Sequence, residues 1–274
     1  MILSEDIISG QNFASKCDYV FSQMKDSIDG PVSVFAETIH PFRAGEVVFC
    51  KTDYIKTFHQ ILEKYIPTHI PFSMVTHDSD YCVTEDMFEL FSNRPIKWYG
   101  INSCTKSVTP IPLGTANTYC RITMKAGDFQ KAQPHKLLYV NHRVDTYSAE
   151  REWLYPYFSG KNWCTVRHPF PKGEIGLYKQ ELLSHKFILC PRGNGIDTHR
   201  LWESLYCGVI PIVKRHWTHS YLHGNLPVLF VDDFSEVTET LLNETYETYK
   251  TNAWNWNMLN INWWINRIKE GITT

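Results

Sequence analysis

FILCPRGNGIDTHRLWESLYCGVIPIV, residues 187–213, changes pattern twice within one short stretch. The run Phe187-Ile188-Leu189-Cys190 is short and wholly apolar, as expected of a strand buried on both faces. Pro191, Gly193, Asn194 and Gly195 then break regular structure. Asp197 or Thr198 can cap a helix, Gly208 can end it, and 209–213 is a second apolar strand. A strand that runs through a Gly-rich turn into a helix N-terminus is where α/β folds hold phosphates. Arg192 and Arg200 add positive charge to this turn, so a nucleotide or nucleotide-sugar site is the leading expectation.

The same alternation extends in both directions. Strands are expected at 32–35, 47–50, 72–76 and 96–101, with a helix at 55–65 stopped by Pro67. The polar segment 126–136 reads as a linker. Beyond it come a strand at 137–141, a helix at 148–158, a strand at 163–166 and a helix at 177–184. After the opening stretch follow a strand at 228–231, a helix at 235–249 and a Trp-rich helix at 254–268. Two α/β domains are therefore expected, 1–133 and 134–274, with the last helix returning to pack on the first domain.

Composition narrows the partners. The 274 residues are 43% hydrophobic and carry a net charge of −2, so no basic face is available for nucleic acid. The eight cysteines are scattered with no CxxC pair, and MILSEDIISG has neither a basic segment nor a long apolar core. No stretch has the length and hydropathy of a membrane span. The expectation is a reduced, soluble, cytoplasmic protein with free thiols throughout. The nine tryptophans fit a packed core or carbohydrate-stacking surfaces, and those at 254, 256, 263 and 264 fit packing better than a membrane-surface face, which would be more basic.

The run PRGNGIDTHRLWESLYCGVIPIV resembles the C-terminal signature of exostosin-like glycosyltransferases: Pro, a Gly-rich loop, Thr-x-Arg, Glu, then Gly and an IPIV-like strand. FSMVTHDSD (72–80) and VTPIPLGTAN (108–117) are similar to N-terminal pieces of relatives of that family, including versions in large algal (chlorella) viruses. The resemblance touches about half of the chain. It implies a GT-B fold, two Rossmann-like domains facing across a cleft, with the sugar nucleotide in the C-terminal domain and the acceptor in the N-terminal one. It further implies an inverting, metal-independent transfer from a UDP-sugar, UDP-xylose among them, to a hydroxyl of an oligosaccharide or glycoprotein glycan. No cofactor is implied beyond the donor. The location implied for a viral enzyme without an anchor is the host cytoplasm.

Each candidate residue also has a plainer reading. Gly193, Asn194 and Gly195 are either the pyrophosphate loop, with Arg192 and Thr198 beside it, or an ordinary turn. Arg200 is placed to neutralise the diphosphate and Glu203, one turn on, to accept from both ribose hydroxyls; the plain alternative is a surface Arg200–Glu203 ion pair. Asn141 and Arg143 follow one strand of the second half and Arg167 and His168 another, where they can line the phosphate and base pockets or be solvated. Asp197 reads as the helix cap.

His77-Asp78-Ser79-Asp80 offers the general base, with Asp78 first and His77 and Asp80 behind it. It is formally also a DxD, the metal-binding pattern of GT-A enzymes, or an Asx-type turn. Glu37 and His40 are further candidates. His216, His219 and His223 share helical spacing, but no Cys or carboxylate follows them, so a polar or acceptor-contacting loop is expected there rather than zinc. Two other classes compete with a transferase. Gly193-x-Gly195-x-x-Thr198 approaches the dinucleotide fingerprint of an NAD(P)-dependent oxidoreductase, but the third Gly is missing. A non-catalytic carbohydrate-binding module fits the aromatic content but leaves the phosphate loop unused.

Overall fold

A computed structural model describes residues 3–25, 32–35, 43–120, 124–171 and 174–271. Glu37 and His40 lie outside the described residues. The chain divides into two compact units. One comprises Glu5–Leu113, Asn117–Cys120 and Asn260–Thr274; the other comprises Met1–Ser4, Gly114–Ala116 and Arg121–Leu259. Residues 124–133 thus belong with the C-terminal unit, and the last helix belongs with the N-terminal one.

The N-terminal unit is built on strands β1 (Tyr19–Lys25), β2 (Val32–Phe35), β3 (Val47–Lys51), β4 (Phe72–His77), β5 (Ile96–Gly100) and β6 (Thr109–Pro110). Their order is β2-β1-β3-β4-β5-β6, with β1, β3, β4, β5 and β6 parallel and β2 antiparallel at the edge. Helices α1 (Gly10–Ser15), α2 (Ile55–Tyr65) and α3 (Glu85–Glu89) belong to the same unit. Every residue of β4 is buried, as a parallel strand covered on both faces requires. α2 buries Ile55, Phe58 and Leu62, spaced to form one stripe, against a core that includes Val48, Met74 and Trp98.

The C-terminal unit has β7 (Lys136–Val140), β8 (Cys164–Val166), β9 (His185–Leu189), β10 (Ile210–Lys214) and β11 (Leu229–Val231). All its pairings are parallel, in the order β11-β10-β9-β7-β8. Its helices are α4 (Ser148–Arg151), α5 (Leu154–Phe158), α6 (Ile175–Ser184), α7 (His199–Cys207), α8 (Trp217–His223) and α9 (Glu239–Thr251); α10 (Ile261–Glu270) returns to the N-terminal unit. The single helix expected over 148–158 is broken between α4 and α5. Pro156 explains the break: within a continuous helix its ring would strike the Glu152 carbonyl, whereas in the first turn of α5 it is tolerated. α7 ends where Gly208 turns left-handed, at φ 73°, and donates back to Ser204 and Leu205.

The fold is thus α/β, with two Rossmann-like units that each carry a sheet of five parallel strands, the fold content of a GT-B protein. The order of strands in the C-terminal sheet locates its binding crevice. From β7 the chain crosses to β8 on one side, and β9 then lies on the other. Loops leaving β7 and β9 therefore diverge, and the gap at their carboxyl ends is a topological switch point.

Candidate nucleotide site

The two loops at the switch point are braced by Arg151, a buried residue with no role in the sequence reading. Its Nε donates to the Arg192 carbonyl at 2.7 Å and Nη2 to the Pro191 carbonyl at 2.9 Å. Its Nη1 donates to the Arg143 carbonyl at 2.7 Å, and so ties the loop after β7 to the loop after β9. Burial, then repulsion from Arg200, pushes the Arg151 guanidinium down to about 10. Glu150 adds a second brace by accepting from the Arg192 backbone at 2.9 Å. A Cβ on Gly193 would come within 3.2 Å of Arg151 Nη2, a tight approach that a side chain there would press on.

A cavity of about 680 Å³ opens at this point, within the range of small-molecule sites. Among its lining residues are Asn141, Arg143, His168, Thr198, Arg200 and Glu203 from the sequence-derived set. The remaining members lie elsewhere. The Arg192 guanidinium sits over the Tyr147 ring at 4.4 Å, and Gly193 donates to the Gly195 carbonyl at 3.1 Å within the loop. Neither these three nor the exposed Asn194 lines the cavity. Arg167 turns its half-exposed side chain toward Glu181, at 3.6 Å, and contributes only its carbonyl near the site.

The floor of the cavity is polar and under-satisfied. Arg200 Nη2 reaches Asn141 Oδ1 at a long 3.4 Å, while Arg200 Nε is buried without a partner. No carboxylate pairs with Arg200 among the described residues, so the expected alternative of an Arg200–Glu203 surface ion pair is not formed. Glu203 is instead buried and accepts from the Tyr178 hydroxyl at 3.0 Å. Thr198 occupies the cap position of α7 but makes no side-chain cap bond, and its Oγ1 is buried and unpaired. His142 Nδ1 is likewise buried and unpaired, and burial pushes this imidazole down to about 3. Asn141 is held by donating to the Arg167 and His168 carbonyls at 3.1 and 3.0 Å.

Part of the lining is aromatic. Tyr155 lies against the His142 ring at 4.5 Å and the His168 ring at 4.6 Å, and Phe170 and Ile175 extend this surface. Tyr155, Tyr178 and His199 were not among the sequence-derived candidates. Their part in the site depends on where the strands lead, which no local pattern in the sequence records.

In the N-terminal unit, Asp78 follows β4 with a left-handed backbone, φ 57°. Its Oδ1 lies 3.1 Å from His77 Nδ1 and accepts from Asn117 Nδ2 at 3.0 Å. His77 is buried, with Nε2 3.2 Å from the Pro112 carbonyl. Burial acts to raise the Asp78 carboxyl, but the His77 and Asn117 hydrogen bonds and nearby Lys51 outweigh it and hold the group below the ordinary range. A Cβ on Gly10 would fall 1.7 Å from Asp78 Oδ1, so this carboxylate sits directly over α1. Asp80 is exposed, and Ser79 Oγ accepts from the Tyr81 backbone at 3.1 Å, as in a tight turn.

Three expectations are corrected. Asp197 does not cap α7: its Oδ1 accepts from the Thr198 backbone and its Oδ2 from Trp202 Nε1, both at 2.8 Å. The segment with His216, His219 and His223 is not a polar loop but helix α8 and its cap, with His219 and His223 buried. The thiols are not all free, because Cys82 and Cys104, on loops after the adjacent strands β4 and β5, form a disulfide. Among the described residues, no helix is long and apolar enough to cross a membrane.

No protein-family model matches the chain, and no curated protein matches it.

Proposed function

We propose that this chain is a glycosyltransferase whose C-terminal unit binds a UDP-sugar in the switch-point cavity. The observation that carries the reading is the set of unpaired buried polar atoms on its lining, Arg200 Nε, Thr198 Oγ1 and His142 Nδ1. Native interiors rarely leave such atoms unsatisfied: a diphosphate supplies the acceptors that Arg200 Nε and Thr198 Oγ1 lack, and a ligand hydroxyl supplies the donor that His142 Nδ1 lacks, since its Nε2 already donates to the Arg151 carbonyl. Arg200 meets the diphosphate as a bidentate donor, with the first N–H groups of α7 beside it. Glu203 accepts from the ribose hydroxyls, and the base stacks near Tyr155, His168 and Phe170. The resemblance to exostosin-like enzymes, versions from algal viruses included, supplies the donor class and the inverting outcome, with UDP-xylose among the candidate donors.

The chemistry is one in-line displacement. The acceptor hydroxyl oxygen bonds to the anomeric carbon as the bond from that carbon to the phosphate oxygen breaks. Asp78 takes the hydroxyl proton and UDP leaves with the electron pair, its charge met by Arg200. The acceptor is a hydroxyl of a glycan, free or carried on a glycoprotein.

UDP release from UDP-xylose, UDP-galactose, UDP-glucuronate, UDP-N-acetylglucosamine and GDP-sugars tests this directly. One UDP-sugar is expected to be consumed, and Asp78→Asn is expected to abolish transfer with UDP affinity unchanged. Stabilisation by NAD(P) and none by UDP would replace the transferase with an oxidoreductase.

A further inference from the structure

A second constellation lies beside the Gly-rich loop and does not line the cavity. His219 and His223 stand at i and i+4 on α8, hence on one face, and Asp197 reaches them from the loop that precedes α7. One ligand-type atom from each side chain lies within 4.8 Å of the other two. The three residues are 3%, 5% and 0% exposed for Asp197, His219 and His223. Among the described residues, His219 Nδ1 and both ring nitrogens of His223 have no hydrogen-bond partner. Sealed imidazoles with unpaired ring nitrogens, grouped with a buried carboxylate, call for a cation between them.

The surroundings match a metal site one layer further out. The remaining ring nitrogen of His219 is hydrogen-bonded to the Ile196 backbone. Asp197 is oriented by Trp202 Nε1 and the Thr198 backbone, at 2.8 Å each, and its oxygens keep lone pairs to spare. Such outer hydrogen bonds fix the tautomer and direction of metal ligands. Trp202 also packs on His223, with ring centres 4.9 Å apart.

We propose that Asp197, His219 and His223 hold a zinc ion that pins the Gly-rich loop to α8. Two imidazoles and one carboxylate suit a borderline transition ion, whereas magnesium and calcium take shells of oxygen. Tetrahedral zinc places neighbouring ligand atoms about 3.3 Å apart, so atoms already within 4.8 Å need to draw together by no more than about 1.5 Å. Since the three groups are buried away from the cavity, the ion is structural. It fixes the chain just before Thr198 and Arg200, and it does not depend on which ligand the cavity takes.

The test is metal content and metal titration of the full chain. Purified protein is expected to retain one equivalent of zinc through dialysis. Stripping with a chelator lowers the melting temperature, and Zn²⁺ restores it while Mg²⁺ does not. Co²⁺ added to stripped protein gives the visible absorption of a low-coordinate cobalt site. Asp197→Asn, which keeps an acceptor for Trp202, and His219→Gln each weaken zinc by about 100-fold or more. A folded, metal-free wild type that binds neither ion tighter than millimolar overturns the proposal, and so does Asp197→Asn with wild-type zinc affinity. If His219→Gln does not fold, the Co²⁺ spectra of wild type and Asp197→Asn decide the question alone.

Discussion

Arg200→Met separates a ligand-seeking arginine from a structural one, because the two roles predict opposite signs. The substitution keeps a long unbranched side chain and removes the charge. Arg200 has a buried, unpaired Nε, a long bond to Asn141 and no carboxylate partner among the described residues. It also depresses the neighbouring Arg151 guanidinium, second only to burial in that effect. An unsatisfied buried polar group costs about 1–3 kcal/mol, and Arg200 is only partly buried, so about 1 kcal/mol is the appropriate figure. Its removal should raise the melting temperature of the free protein by about 2–4 °C. A hydrogen bond to a charged group contributes about 1.5–3 kcal/mol, so UDP binding should weaken about 10- to 100-fold. Thermal melts without ligand and calorimetric titration with UDP read the two effects separately. A variant that melts lower than wild type and binds UDP within about threefold of it (under 1 kcal/mol) would refute the reasoning.

Three further outcomes follow from other parts of the structure. Glu203→Gln removes the acceptor charge assigned to the ribose, so a wild-type preference for UDP over 2′-deoxy-UDP, about tenfold, should disappear in competition titrations. His142 and His185 are fully buried and held by burial at about 3 and about 4, below their unfolded value of 6.5. Their neutral forms contribute stability that is complete above pH 6.5 and lost as pH falls toward 4. Each contributes up to about 1.4 kcal/mol per pH unit to the slope of stability in that window, so urea melts of His185→Asn should show a slope lower than wild type by up to that amount. Reduction of Cys82–Cys104, which are 22 residues apart, should cost about 3 kcal/mol by loop entropy, seen as a lower urea midpoint with reductant than without.

What the sequence made legible was local. The strand–loop–helix–strand order of 187–213 rests on apolar runs, Gly and a helix stop, all of which are short-range signals, and it reappears as β9, α7 and β10. The bounds of α2 were readable because a clean apolar stripe ends at Pro67. The strand order, and with it the switch point, was not readable, since sequence does not say on which side of β7 a strand will add. Arg151 escaped for the same reason: its partners at 191 and 192 are remote in sequence. Asp197 fits the local rule for a helix cap by position, but its carboxylate accepts from Trp202 inside α7, a contact no local rule specifies. The spacing of the α8 histidines is legible, but their carboxylate precedes them on another element, where no regular spacing links it to them.

What occupies the cavity between the loops after β7 and β9 decides whether the chain is a glycosyltransferase. A crystal structure of the chain with UDP is the most direct measurement. The prediction is a diphosphate within hydrogen-bond distance of Arg200 and Thr198, with the ribose on Glu203. UDP bound away from these residues, or no UDP bound at millimolar concentration, would contradict it.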